Sequence, residues 1–143
     1  MQTEGKTLVI ITQEVLAMLL TRKEAAERIS AKLKDENGAE NMRKKCAETE
    51  GFIIELMDEL QQYGDAVMAD TDRENNYQNT WRDTLKVLDT AGSNELQKRF
   101  AEMEIALAST YKTILESKTE WTDTLQKKLQ RQVRNIVDGN QTP

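Results

Sequence analysis

Five glutamates hold what metal chemistry this sequence has to offer. Glu24, Glu27, Glu48, Glu55 and Glu104 lie on segments of helical period, and carboxylate oxygens are the donors a hard cation prefers. Iron or manganese is the metal such a set would take. The chain has no histidine, so any centre must be built from carboxylates alone. Glu48 and Glu55 stand seven residues apart and flank an apolar seam without occupying it, a pattern that equally suits a solvated face or salt bridges between helices. Glu104 sits beside Met103 and Leu107, with Tyr111 one heptad further on.

Other chemistries are poorly served. Without imidazole there is no usual general base and no Ser-His or Cys-His pairing. Cys46 is the only cysteine, which excludes an intrachain disulfide and fits a reducing cytoplasm. It falls on a seam position, where a small buried thiol with no activating partner is the ordinary outcome. Gly38, Gly51, Gly64 and Gly92 are isolated, so no glycine-rich phosphate loop is present. No catalytic residue and no bound cofactor are expected.

Charge and hydropathy narrow the partners. The formal charge of -5 argues against a nucleic-acid binder, which needs a concentrated basic surface. Lys127, Lys128, Arg131 and Arg134 read as solvated cations complementing a helix C-terminus. The apolar run from Leu8 to Leu20 is interrupted by Gln13 and Glu14 and falls short of the roughly 20 residues a membrane span requires. No membrane span and no targeting segment are expected.

The elements that must position these residues follow from period. Leu8, Val15, Leu19, Ala26, Ile29 and Leu33 recur at helical steps, with Thr12 and Arg22 filling two polar places in the stripe. This predicts a helix over 7–35. Asn37 with Glu40 reads as a capping box for a helix over 39–63, whose seam is Met42, Cys46, Thr49, Ile53, Leu56, Leu60 and Tyr63. Thr71 with Glu74 caps a shorter helix, 74–90, carrying Tyr77, Trp81, Leu85 and Leu88. Leu96, Phe100, Met103, Leu107 and Ile114 define a helix over 94–117. Ser117 with Glu120 caps the last, 118–138, with Trp121, Leu125, Leu129, Val133 and Ile136 inward and Asp138-Gly139 closing it.

One domain is therefore expected, all-α, an antiparallel four-helix bundle. Its first and last pairs have short links, and a crossover of about 28 residues containing a short fifth helix separates them. The run Ala47-Glu48-Thr49-Glu50-Gly51-Phe52-Ile53-Ile54-Glu55-Leu56, the crossover Trp81 with Leu85, and Glu104-Ile105-Ala106 with Tyr111 and Leu115 resemble the bacterial ferritin-like, rubrerythrin-related four-helix-bundle proteins, a domain family of unknown function. The similarity covers about residues 9–137. It implies a fold and a connectivity, with no agreed activity.

A di-iron site of the ferritin-like kind takes a Glu from each of two helices and a Glu-x-x-His pair from each of the other two. Here the histidines are missing, and the last helix is devoid of acids between Asp123 and Asp138. Two readings stand. In one, the metal centre is lost and a non-catalytic bundle acts through protein contacts, as a homodimer. In the other, Glu24 or Glu27, Glu48 or Glu55, and Glu104 converge on a metal for redox or storage work. The first helix is apolar over more than one stripe, so Leu8, Ile11, Leu16 and Leu20, with Trp81, form the candidate interface. The crossover helix or a second copy would cover it.

Overall fold

The computed structural model describes residues 2–62, 76–117 and 122–141, which form five α-helices and no strand. Helix α1 spans Gln2–Lys32, α2 Glu36–Gln61, α3 Asn76–Val87, α4 Ser93–Leu115 and α5 Asp123–Gln141. The chain is all-α over these residues, and none of the helices described is long and apolar enough to cross a membrane.

The boundaries depart from expectation at the caps. Asp35, not Asn37, caps α2: its backbone is extended and its carboxylate accepts the Asn37 amide at 3.2 Å. A short acceptor placed two residues ahead starts the helix at Glu36 and draws Asn37 and Gly38 into it. At the other end, α5 continues through Asp138 and Gly139 to Gln141. The expected Thr71–Glu74 box, the Glu120 partner of Ser117, Tyr63 and Trp121 lie outside the described residues.

Cross-helix pairs give the helix directions. Residues 33–35 turn α1 into an antiparallel α2, where Lys23 meets Glu50 and Glu27 meets Cys46. Helix α3 runs parallel to α1, because Thr21 pairs with Gln78, Glu24 with Trp81 and Lys32 with Asp89 in constant register. Helices α2 and α4 point the same way: Gly38 faces Gln97 and Lys45 faces Glu104. A Cβ at Gly38 would lie 2.9 Å from Nε2 of Gln97, the movable end of that side chain. Helix α5 runs against α2, pairing Glu59 with Lys128 and Phe52 with Gln132. In packing, α1 lies against α2 and α4, α5 against the same two, and α3 against α1 and α4.

The core follows the stripes read from the sequence, except that Leu33 and Leu85 are only partly buried and the face of α2 is shifted. Leu96, Phe100, Met103 and Leu107 of α4 and Leu125, Leu129 and Ile136 of α5 are buried. On α2 the buried face is turned: Lys45, Phe52 and Glu59 are inside, while Cys46 and Ile53 are only half-buried. Because α2 is flanked by both α1 and α5, its inward face is wider than a single seam and admits charged residues that find partners.

Candidate functional site

Arg22 lies on the inner stripe of α1 with its side chain fully buried. Its Nε and Nη2 donate to Glu104 Oε1 and Oε2, both at 2.8 Å, a bidentate fork across to α4. Its Nη1 donates to Glu48 Oε1 at 2.8 Å and to Thr49 Oγ1 at 3.0 Å on α2. The Thr49 hydroxyl in turn donates to the Lys45 carbonyl at 2.6 Å. One guanidinium thus ties three helices, and its planar donor fork suits two carboxylates approaching from different sides.

The charges close on themselves. The Lys45 ammonium stands 3.7 Å from Glu104 Oε2 and 5.9 Å from the centre of the Phe100 ring, with its side chain only 10% exposed. Two cations, Arg22 and Lys45, face two anions, Glu48 and Glu104, so the cluster is neutral. That neutrality offsets the cost of burying ions, which would otherwise be several kcal/mol each. Burial by itself would make the Arg22 guanidinium easier to deprotonate; its hydrogen bonds and ion pairs to Glu104, then Glu48, outweigh this and raise its pKa.

Two tyrosines border the cluster. Burial, with smaller contributions from Glu104, pushes the phenols of Tyr77 and Tyr111 above their ordinary range. Tyr111 donates to Gln132 Oε1 at 2.7 Å, whereas the buried Tyr77 hydroxyl has no hydrogen-bond partner among the described residues. The Arg22 guanidinium and the two phenols therefore keep their protons near neutral pH. The arrangement ties α1, α2 and α4 together through Arg22.

Of the five candidate ligands, the structure brings Glu48 and Glu104 together, around Arg22. The other three point elsewhere. Glu24 accepts the Trp81 indole N–H at 2.7 Å. Glu55 pairs with Arg131 and accepts from Gln132 Nε2 at 3.3 Å. Glu27 accepts the Cys46 thiol at 3.6 Å, and with Glu50 these form the one three-residue group of potential ligand atoms within 4.8 Å among the described residues. That group is on the surface between α1 and α2, where Lys23 already lies 3.7 Å from Glu50. Burial and then Glu27 push the Cys46 thiol up.

The candidate interface divides in the same way. Leu8, Leu16 and Trp81 are 4%, 1% and 4% exposed, covered by this chain's own packing. Ile11 packs partly buried against the core, and Leu20, 37% exposed, is the member that faces outward. The basic residues of α5 are also not simply solvated: Lys128 donates to the buried Glu59 at 2.8 Å and Arg131 pairs with Glu55. They dock α5 onto α2.

Sequence reasoning marked Arg22 as a polar place in an apolar stripe but assigned it no partner. The available signal was an arginine where the stripe demands an apolar residue, together with Glu104 beside Met103. Lys45, Glu59 and Gln132 carried no such signal. No family model matches the chain, and comparison with curated proteins and with solved structures gives no match.

Proposed function

We propose that this chain is a non-catalytic, ferritin-like four-helix bundle of the rubrerythrin-related kind, acting through protein contacts, in which a buried arginine stands where a dimetal centre would bind. Support for the fold comes from helix directions. Parallel α2 and α4, each antiparallel to its chain neighbour, with α3 running back along α1, is the order a single long crossover produces.

The observation that carries the reading is the Arg22 guanidinium between Glu48 and Glu104. Glutamates on facing helices are the donors a bundle metal site uses, and here their oxygens are spent on a cation that is part of the chain. A dimetal group does not fit this donor set. Imidazole is lacking, Glu24, Glu27 and Glu55 are directed elsewhere, and the space between the two carboxylates is filled. The half-buried lone thiol of Cys46 fits a cytoplasmic setting.

Elemental analysis of protein purified without chelator, repeated after addition of iron(II) or manganese(II) and desalting, tests the reading. The expected result is no stoichiometric metal. Retention of one or two ions per chain would overturn it in favour of a carboxylate-only metal protein.

A further inference from the structure

Two small cavities, of about 180 and about 150 Å³, open beside α2 where α5 ends. Asn41, Lys45 and Gly139 border both. Lys44 and Glu48 make the rest of the first charged, whereas Met42, Phe100 and Ala101 give the second an apolar wall. Their place follows from register. Helix α5 runs against α2 with Lys128 opposite Glu59 and Arg131 opposite Glu55, and the same register carried onward sets Lys45 against the last residues of α5.

Lys45 is the group that calls for a ligand. It is almost wholly buried, and its ammonium lies at the cavity wall, 3.4 Å from where a Cβ on Gly139 would stand. Its ion-pair contact among the described residues is Glu104 Oε2 at 3.7 Å, beyond hydrogen-bond reach. Both Glu104 oxygens are already bonded to Arg22. The ammonium is thus balanced in charge, while its N–H donors have no acceptor among the described residues. Nor do the side chains of Asn41, Lys44 and Gln97, which line the same cavities, make a hydrogen bond or ion pair there. A buried donor left without an acceptor is costly, and an acceptor brought by a ligand removes that cost.

We propose that this end of the bundle binds a small organic monocarboxylate. Its carboxylate accepts from the Lys45 ammonium and the Asn41 amide, which are four residues apart and so share a face of α2. Its apolar body lies over Met42, Phe100 and Ala101. Charge selects a single negative ion. Arg22, Lys45, Glu48 and Glu104 together are neutral, so Lys44 is the further cation at the cavities for an anion to balance. A doubly charged ion such as phosphate would leave negative charge uncompensated beside Glu48 and Glu104, and it has no use for an apolar wall. The volumes fall short of the roughly 300 to 1,000 Å³ that drug-sized ligands occupy, which limits the ligand to a few carbons. The site goes beyond the reading of the chain as a protein-contact bundle and does not depend on it.

Nuclear magnetic resonance of the full chain titrated with sodium butyrate to about 20 mM tests it, with inorganic phosphate and butylamine at matched ionic strength as comparisons. Butyrate is expected to shift the amide signals of residues 41–45, 97–101 and 139, saturating with a dissociation constant on the order of 1 mM. Phosphate and butylamine are expected to bind at least about tenfold more weakly. Lys45→Met keeps the apolar stem and removes the donor, and is expected to weaken butyrate binding at least about tenfold. Asn41→Asp sets a carboxylate against the ligand's own and is expected to weaken it about fivefold. Circular dichroism checks folding, and Asn41, at an exposed position, decides the matter should Lys45→Met prove unstable. Butyrate that moves no signal by about 20 mM, shifts that lie elsewhere, phosphate or butylamine that binds as tightly, or an affinity unchanged in the folded variants would each overturn the proposal. None of these results touches the reading of Arg22, which metal analysis tests separately.

Discussion

Replacing Arg22 by methionine removes a cation that donates four hydrogen bonds in the interior, two to Glu104, one to Glu48 and one to Thr49. Glu48 is one-third exposed and can turn to water, but the Glu104 side chain is 0% exposed and cannot. Removing one partner of a buried pair costs about 3 to 5 kcal/mol, mostly as the penalty of the stranded charge. Lys45, 3.7 Å from Glu104, stays as a partial counter-ion. It sets the expected cost near the lower end, about 3 kcal/mol. Against a total stability of about 5 to 15 kcal/mol, that is a large fraction.

The double variant Arg22→Met with Glu104→Met supplies the contrast. It removes both charges and fills the space with apolar side chains, and such replacements are commonly neutral or stabilising. Lys45 can extend its ammonium to solvent along its alkyl stem. The double variant is therefore expected to be more stable than Arg22→Met alone, with a coupling of about 2 kcal/mol or more. Urea unfolding followed by far-ultraviolet circular dichroism reads this as midpoint shifts at constant slope. A single variant costing less than about 1 kcal/mol, or costs that simply add, would refute the view that Glu104 depends on Arg22.

Gln132→Leu strips Tyr111 of its acceptor in the interior and is expected to cost about 1 to 3 kcal/mol, part of which Tyr111→Phe recovers in the same background; denaturant midpoints decide it. Burial raises the phenol pKa of Tyr77 and Tyr111 in the folded state. The unfolded chain therefore loses these protons first as pH rises, and stability, fully present below about pH 10, should fall above it by up to about 2.7 kcal/mol per pH unit for the pair. A thermal midpoint that stays level from about pH 10 to about pH 11.5 would contradict this. Cys46, held up by burial and by Glu27, is expected to react with a thiol reagent near pH 8 more slowly than a free thiol, and Glu27→Gln should speed it about two- to threefold; an unchanged rate counts against the Glu27 contact.

Much of the architecture was legible because helical period survives in composition. The stripes on α4 and α5 emerged from spacing alone, as apolar residues at three- and four-residue steps can share only one face. Helix ends were less legible. Asp35 and Asn37 are both good caps, and which of them starts α2 depends on where the chain leaves α1. The face of α2 was legible only in part: Met42, Thr49, Leu56 and Leu60 lie inward as their spacing implies, but Lys45 and Glu59 look like surface residues until Glu104 and Lys128 are brought to them.

By itself, then, the sequence determined that the chain is helical, which stripes of α4 and α5 face inward, and that imidazole takes no part in its chemistry, because residue type and local period are properties of short stretches. Only the tertiary structure decided that Arg22 joins Glu48 and Glu104, that Glu24 serves Trp81, and that Leu20 is left at the surface beside α3. Arg22 and Glu104 are 82 residues apart, and such a pairing is set by how helices dock, which no local pattern encodes. A buried guanidinium and a solvated one have the same letter in the chain, and the difference lies in which carboxylates the fold delivers to it.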